Sequence, residues 1–490
     1  MKRKSKIKKV MLVYPNQLWL KADLSTTWNL NPYTICLLGT MIKDEVDVKI
    51  VDAQFYNISQ DEFRKKIEDY HPDLIGISLL STEYEIIGDI AAGIAKDVNQ
   101  DIVVVMGGAH VTSMYLRVME NINIDYAVRG EGEYVFRDLI RHLNEKCPFP
   151  EGVVYRKNNG ELQIPPLTLV NDLDALPYPD YELVDFHAYS MNIQRYGIDV
   201  PAALPFVRLP TVRGCPIGCS FCQVEHISGK KHRMRSASNV VGELEMLIEK
   251  YSIKSINFED DNAFLNRKRS KEMLHMMIDR KLNLKWKANG VALFTLDDET
   301  LCLMAESGCL MLNVAVESGN ERVLKDIVMK PIDLKTVPEK IALIQRYGIY
   351  VCANFIIGMP GETWDEIRET LHYAETCGAD YVKIFIANPL VNTKMYKIAK
   401  EMNCIVGDEN TIDWRYGRIR TSEFTPKDIS ILRAYEWDRI NFTDPEKRQK
   451  TADMMGIPVD ELNKIRKKTL LNVSYILGLK KNNKINVNLV

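Results

Sequence analysis

The sequence predicts an α/β protein: a Rossmann-like doubly wound domain, then a partial (β/α)6 barrel, then a small, mostly helical carboxy-terminal region. Short apolar runs alternate with amphipathic stretches in residues 1–150 and again in residues 206–400. The apolar runs are rich in Val and Ile without polar alternation, which is typical of parallel strands buried on both faces. Residues 151–205 form a linker rich in proline and aspartate, and residues 401–490 lack the strand–helix rhythm.

Length and composition exclude several classes of protein. At about 150 residues per domain, 490 residues correspond to about three domains. With 46% hydrophobic and 27% charged residues, the chain is not disordered overall. A net charge of −2 gives no global field that would recruit nucleic acid. The basic start precedes an apolar run too short for a signal peptide, and no stretch approaches the about 18 apolar residues of a membrane span. We expect a cytoplasmic protein with no transmembrane segment and no nucleic-acid partner.

The predicted strands indicate where the functional residues are expected. The first domain has five, at residues 10–15, 48–53, 74–80, 102–108 and 126–130. The barrel has six, at residues 207–213, 255–259, 285–291, 312–317, 351–357 and 381–387. In both architectures the ligands bind at the carboxyl ends of the strands, so the residues that follow each strand are the candidates for the site.

Three cysteines crowd into one loop after the first barrel strand. Of ten cysteines, seven stand alone and are expected to be small core residues. Cys215, Cys219 and Cys222 share eight positions, and in a reducing compartment such a group favours a metal site over disulfides. One alternative is zinc with His226 or His232 as the fourth ligand. The other is a four-iron cluster whose fourth iron stays open for chemistry.

The Cys-x₃-Cys-x₂-Cys spacing after a first barrel strand resembles the radical S-adenosylmethionine (SAM) superfamily. The resemblance implies a [4Fe-4S] cluster on the three cysteines and SAM chelated to the open iron. It also implies SAM contacts at the ends of later strands. They are Asp260 or Asp261 for the methionyl ammonium, Glu317 and Ser318 for the ribose and methionine, and Asn354 and Gly358 beside the adenine. Alternatively, the two aspartates only cap the helix that follows them.

The amino-terminal domain lacks the glycine-rich loop of dinucleotide-binding proteins after its first strand. It resembles instead a cobalamin-binding domain, with Ser78 and Leu80 ending the third strand and Gly107 and Gly108 ending the fourth. Glycine there lets a ligand approach the backbone closely, although a glycine pair is also ordinary turn chemistry. Gln54 stands where that domain's fullest signature has histidine, which implies cobalamin without a histidine lower ligand.

Over residues 8 to 400 the chain is similar to the cobalamin-dependent radical SAM family, close to its methylases. The resemblance implies a methyltransferase that works anaerobically and moves a methyl from SAM via methylcobalamin to an unactivated carbon. It assigns no separate catalytic side chain. It implies a small-molecule, lipid or peptide substrate and an electron donor such as flavodoxin or ferredoxin.

Two other functions stay open. One is a radical SAM cyclase or rearrangement enzyme with no net methyl transfer. The other is a non-catalytic cobalamin-binding or zinc-binding regulator. A methylthiotransferase fits poorly, because only Cys36 and Cys147 precede the three-cysteine loop and a second cluster needs more.

Overall fold

A computed structural model describes residues 6–20, 32–80, 85–192, 200–407 and 416–476. The basic residues 2–5 and the polar tail after residue 476 lie outside the described residues. Two large sheets organise the chain, one of seven strands and one of six. Within the described residues, no helix combines the length and the apolar character that crossing a membrane requires.

The first sheet has the strand order β2-β1-β3-β4-β5-β6-β7. Strands β1 to β5 are parallel and match the five predicted strands. The bounds are β1 Lys9–Tyr14, β2 Asp47–Asp52, β3 Leu74–Ser78, β4 Val103–Gly107 and β5 Tyr126–Val128. The helices are α1 Tyr33–Thr40, α2 Gln60–Tyr70, α3 Glu85–Val98, α4 Ala109–Val118 and α5 Gly132–Leu143. The order reverses direction between β1 and β3, which creates the switch point where doubly wound sheets bind ligands.

Two antiparallel strands extend this sheet past residue 150. They are β6 Val153–Arg156, paired with β5, and β7 Leu162–Gln163. The proline-rich segment that follows carries a short α-helix, α6 Phe186–Met191. The sheet therefore takes in the first part of the segment predicted as a linker.

The second sheet is the predicted partial barrel, six parallel strands in the order β15-β14-β13-β12-β11-β8. Its bounds are β8 Phe206–Leu209, β11 Ser255–Phe258, β12 Lys285–Val291, β13 Cys309–Glu317, β14 Tyr350–Ile357 and β15 Tyr381–Ile386. A small hairpin, β9 Val212–Arg213 with β10 Arg233–Met234, follows β8. The helices are α7 Val224–Ile227, α8 Ala237–Tyr251, α9 Arg267–Asp279, α10 Asp298–Glu306, α11 Val337–Arg346, α12 Trp364–Thr376 and α13 Lys394–Glu401.

Alternation along the barrel strands separates an apolar outside from a polar lumen. Val314, Val351 and Ile384 belong to the core shared with the surrounding helices. Their strand neighbours Asn313 and Lys383 point the other way, because successive side chains of a strand lie on opposite faces. The lumen of the barrel is therefore polar.

The carboxy-terminal region is helical, as predicted, and covers the open edge of the barrel. It comprises α14 Pro426–Phe442, α15 Pro445–Met455 and α16 Val459–Ile476. Asn441 of α14 is fully buried beside the edge strand β15. Its Oδ1 accepts from the Val382 backbone N–H at 2.8 Å, and its Nδ2 donates to the Val382 carbonyl at 2.9 Å. One amide side chain thus pairs with β15 as a further strand would.

Candidate functional site

The three-cysteine loop lies between β9 and β10 in sequence, at the carboxyl end of the barrel strands. Gly214 opens it with φ of +83°, and a Cβ there would lie 2.4 Å from the Lys231 carbonyl oxygen. This close approach explains glycine at the position. Within the loop, Cys222 N–H donates to the Cys219 carbonyl at 3.1 Å, and Ser220 N–H donates to the Val328 carbonyl at 2.9 Å. The segment after β13, which contains Val328, therefore holds the cysteine loop in place.

The three thiols of the loop are not grouped around a single metal ion among the described residues. All three cysteines are partly buried and free of disulfides. Burial raises the pKa of Cys219 to about 11 and that of Cys222 to about 12, and neighbouring loop thiols add to both shifts. Yet among the described residues no group of three or more His, Cys, Asp or Glu side chains is arranged around one metal ion. His232 instead contacts the Asn262 carbonyl at 3.0 Å. Zinc coordination by this loop is not supported.

Asp260 and Asp261 follow β11 and accept hydrogen bonds from the backbone that leads into the cysteine loop. The Asp260 carboxylate accepts from the N–H groups of Thr211 and Val212, the latter at 2.7 Å. Asp261 Oδ2 accepts from Gly214 N–H at 2.7 Å. Burial raises the pKa of Asp260 to about 6. Both carboxylates hold backbone around the cysteines, and their contact with SAM stays a prediction.

Glu317 ends β13 in a left-handed conformation, with φ of +75°. Its Oε1 accepts from the buried Lys330 ammonium at 2.8 Å, and the same ammonium donates to the Ala315 carbonyl at 2.7 Å. Burial is the main cause of the raised pKa of Cys219, and Lys330 opposes it, so this cation acts electrostatically on the cysteine loop. A non-glycine residue held at positive φ costs free energy, and functional sites are where such conformations concentrate.

Ser318 lies beside Glu317 and faces the outer helices. Its hydroxyl is fully buried, shares a hydrogen bond of 2.9 Å with the Thr370 hydroxyl of α12, and accepts from Asn320 N–H. The hydroxyl therefore fixes the turn after β13, and its predicted contact with SAM stays a prediction.

The segment after β14 is tied together by one buried carboxylate. Glu362 Oε2 accepts from the N–H groups of Gly358 at 2.7 Å and Met359 at 2.9 Å. Gly358 has φ of +81°, and a Cβ there would lie 2.9 Å from Ile429 of α14. Asn354 lies within β14, where its Oδ1 accepts a weak bond from the Cys352 thiol. The turn beside the predicted adenine position is thus closely packed.

Glu362→Gln is expected to gain stability relative to the wild type as the pH rises. Burial raises the pKa of Glu362 to about 7, above the ordinary 4.5. The folded wild type therefore favours the protonated carboxyl and loses stability as the pH rises from about 4.5 to about 7. Glutamine removes this loss, on the order of 2 kcal/mol between about pH 5 and pH 8. Urea unfolding of both chains at the two pH values measures it. Exposed Glu321→Gln is the control, and a difference that stays constant with pH contradicts the prediction.

A cavity of about 430 Å³ lies between the first sheet and the cysteine loop. The carboxyl ends of β1, β3 and β4 form its floor, at the switch point of the sheet. All four predicted cobalamin-site residues line it: Ser78, Leu80, Gly107 and Gly108. Gly108 has φ of +103°, and a Cβ there would lie 2.3 Å from the Leu79 carbonyl oxygen. Arg213 and Asp261 line the same cavity from the barrel side, so both domains share it.

Gln54 and His110 both have structural partners. Gln54 is buried, and its Oε1 accepts from Gln17 N–H at 2.7 Å, which joins the segments after β2 and β1. His110 is buried too, with Nε2 3.0 Å from Glu85 Oε2 of α3. Asp52, at the end of β2, accepts from the Tyr189 hydroxyl at 2.8 Å. Gln54 Oε1 and His110 Nε2 therefore have partners within the protein, whereas His110 Nδ1 is buried without one among the described residues.

An ion cluster that sequence reasoning missed joins the two domains beside the cavity. Arg233 makes a bidentate pair with Glu131, with both N–O distances 2.6 Å. Arg213, its register partner in the hairpin, donates to Glu133 at 2.6 Å. Burial would raise the pKa of Glu133, but the Arg213 guanidinium outweighs burial and holds the pKa below its ordinary value. Both strands that carry the cysteine loop are thereby fastened to the start of α5.

Arg233→Met is expected to destabilise the chain by about 3 kcal/mol, because it leaves the Glu131 carboxylate buried without its bidentate partner. Adding Glu131→Gln is expected to restore part of the loss. Urea unfolding of the wild type, both single variants and the double variant gives the coupling free energy. A loss under about 1 kcal/mol for Arg233→Met would show that the pair does not hold the domains together.

The barrel lumen carries polar groups that face one another. Arg208 donates to Glu259 at 2.8 Å, and a small cavity between strands is lined by Asn257, Glu259 and Lys287 among others. The buried Asn257 Oδ1 has no hydrogen-bond partner within the part of the chain that the structure describes. A buried acceptor without a partner costs free energy, so a bound polar molecule would stabilise it.

Two family models match the chain. Residues 29–140 match the B12 binding domain, and residues 209–374 match the Radical SAM superfamily. The first match covers β3 and β4 below the 430 Å³ cavity but not β1, and the second covers the cysteine loop and most of the barrel.

Relatives match over most of their length. An uncharacterized methyltransferase from Pyrococcus horikoshii is 31% identical over 437 residues, which is 87% of this chain and 91% of the relative. Cytidylyl-2-hydroxyethylphosphonate methyltransferase from Streptomyces wedmorensis is 29% identical over 74% of each chain. The structure of TsrM from Kitasatospora setae, a radical SAM methyltransferase with cobalamin and a [4Fe-4S] cluster bound, has a TM-score of 0.67 at 17% identity, covering 96% of this chain and 100% of that one. This likeness confirms the predicted fold.

Proposed function

Because the chain belongs to the cobalamin-dependent radical SAM family, we propose that it is a methyltransferase that moves a methyl group from SAM to an unactivated carbon. The observation that carries the proposal is the shared cavity. Gly107 and Gly108 line it from the sheet side, and Arg213 and Ser228, which flank the cysteine loop in sequence, line it from the barrel side. The cofactors of the family are a [4Fe-4S] cluster, SAM and cobalamin.

The resemblance to the family suggests which residues would hold these groups. Cys215, Cys219 and Cys222 would hold the cluster. Glu317, at the end of β13, and Asp261, after β11, would face SAM. Ser78, Leu80, Gly107 and Gly108 would line the cobalamin pocket. When bound, the cluster supplies an electron that cleaves SAM to a radical, and cobalamin carries the methyl group.

The chain's own contribution is to position these groups and to exclude water. The Glu131–Arg233 and Glu133–Arg213 pairs fix the cysteine loop against the first sheet. The Asp260 and Asp261 carboxylates fix the backbone on the other side of the loop. Buried positioning of this kind keeps reactive groups apart from solvent and in a productive orientation.

The lumen supports a polar small-molecule substrate. Arg208, Glu259 and Lys287 are charged, and Asn257 offers a buried acceptor. A polycyclic hydrocarbon there would leave the buried Asn257 Oδ1 without a partner, which is unfavourable. The Streptomyces wedmorensis relative is named for a cytidylyl phosphonate, a substrate of the polar class.

The test is anaerobic turnover with methyl-deuterated SAM and a strong reductant, after reconstitution with iron, sulfide and cobalamin. S-adenosylhomocysteine together with deuterium on the corrinoid, detected by mass spectrometry, supports the methyltransferase. Only 5′-deoxyadenosine, with no S-adenosylhomocysteine, would favour a cyclase or rearrangement enzyme instead. Neither product from a chain with full iron and cobalamin content would contradict both.

The bound cobalt is expected to lack a nitrogen ligand from the protein. Gln54 is held by Gln17, and His110 is held by Glu85. Paramagnetic resonance of the cob(II)alamin-loaded chain should therefore show no hyperfine splitting from such a nitrogen. A splitting that disappears in His110→Ala would contradict this.

An electron donor and a cytoplasmic location complete the proposal. Reduction of the cluster needs a low-potential donor such as flavodoxin or ferredoxin. Ten free cysteines and an oxidation-sensitive cluster suit a reducing compartment.

A further inference from the structure

Exposed lysines surround the cysteine loop at the point where it reaches the surface. The Lys394 ammonium lies 3.4 Å from the carbonyl oxygen of Gly218, the residue next to Cys219. Lys394 and Lys397, one turn later on α13, are exposed, as is Lys230 after α7. We call Lys230, Lys394 and Lys397 the lysine patch.

Electrostatic effects show that the patch acts as one surface. Burial lowers the pKa of His226, and both Lys397 and Lys230 lower it further. Lys230 pairs with Glu225 at 3.0 Å, and Lys394 also acts on that carboxylate. Lys230 and Lys394 thus act on one carboxylate, Glu225, and Lys230 and Lys397 act on one imidazole, His226. The patch is positive although the whole chain carries a net charge of −2.

An apolar group lies at the centre of the patch. Met329 is 37% exposed, and its sulfur lies 3.9 Å from the Lys394 ammonium. Met329 directly follows the helical turn whose Val328 carbonyl accepts from Ser220 of the cysteine loop. An apolar centre with a charged rim is the usual anatomy of a protein interface, and transient electron-transfer interfaces are small.

We propose that the lysine patch is the docking surface for an acidic, low-potential one-electron carrier protein. The inference rests on the proposed function, because it takes the cluster to be bound by Cys215, Cys219 and Cys222. In the step, the carrier is oxidised by one electron and the cluster is reduced by one, with no other reactant. Positive charge next to the cluster raises the rate at which an acidic carrier meets that face of the molecule. The same charge would disfavour a basic partner.

The experiment compares two reductants on the reconstituted full chain. One is the hydroquinone of an acidic flavodoxin, and the other is photoexcited 5-deazariboflavin, which is small and uncharged. Stopped-flow bleaching of the cluster absorbance gives each rate at about 0.05 M and about 0.5 M salt, a range over which screening changes strongly. The variants are Lys397→Glu and the milder pair Lys394→Gln with Lys397→Gln. Lys65→Glu is the control, an equal charge reversal at an exposed lysine on α2.

Lys397→Glu is expected to slow reduction by flavodoxin about tenfold at low salt, with a smaller difference at high salt. Reduction by deazariboflavin should be unchanged, and Lys65→Glu should behave as the wild type. Equal flavodoxin rates in Lys397→Glu, the double variant and the wild type at low salt would overturn the docking surface. A wild-type chain reduced by deazariboflavin but not by flavodoxin would overturn it as well. A chain that takes up iron but is reduced by neither would overturn the proposed function itself.

Discussion

Cys219→Ala is expected to lower 5′-deoxyadenosine formation by at least about a thousandfold and to leave cobalamin binding intact. Three thiolates are the protein ligands of a site-differentiated cluster, and two do not hold it. Cys219 lies in the loop between β9 and β10, whereas Gly107 and Gly108 line the cavity from the sheet side. Iron content, nucleoside products and the cobalamin spectrum of the reconstituted variant measure the two effects separately.

Cys302→Ala is the matched control. Cys302 is a partly buried thiol on α10 that donates to Glu306, outside the loop. It should keep its iron and its product yield. A product yield from Cys219→Ala equal to that of Cys302→Ala would refute the assignment of the loop.

Gly107→Leu is expected to have the opposite pattern, with cobalamin binding weakened at least about a hundredfold and the cluster retained. Gly107 ends β4 and lines the cavity, so a leucine side chain occupies space that the ligand needs. A Cβ there would meet Val128 at 3.7 Å, an ordinary contact. The backbone therefore tolerates a side chain, and the loss reports on the cavity rather than on folding.

Gly107→Ala separates occupancy of the cavity from any strain. With only a methyl group added, it should fold normally and keep most of its cobalamin. Cobalamin that stays bound to purified Gly107→Leu as firmly as to Gly107→Ala would show that this cavity is not the cobalamin site.

The sequence predicts the strands well because parallel buried strands are continuous apolar runs. The predicted strand at residues 285–291 coincides with β12, and the other five in the barrel begin and end within a few residues of the observed bounds. Strands β6 and β7 were not predicted. They are short, they are antiparallel at the end of the sheet, and β7 is only partly buried, so they lack the apolar signal.

Site residues that are close together in sequence could be predicted, whereas those that meet only in the fold could not. The cysteine loop is recognisable because its ligands lie within eight residues, and the glycine pair is adjacent in sequence. The Glu133–Arg213 and Glu131–Arg233 pairs join residues 80 and 102 positions apart. No spacing rule connects such residues, and charged side chains in a loop are typical of any surface. Only the fold shows that they are buried.

The polar lumen did leave a signal in the sequence. Asn257, Lys287 and Asn313 each lie within a predicted strand and have hydrophobic residues on both sides. A polar residue flanked in this way in a buried strand needs a partner, because its neighbours point to the core and it points away from it. Read across adjacent strands, these positions predict a polar interior.

The amide of Asn441 has a consequence for how this chain behaves when it is shortened. It occupies the hydrogen-bonding groups of Val382 on the last strand of the barrel. A fragment that stops before α14 would present β15 as a bare strand, a template on which a second molecule can add its own strand. Such fragments would be expected to self-associate and precipitate although they contain every cluster ligand. An expression fragment of this protein therefore has to extend beyond residue 442 to stay monodisperse.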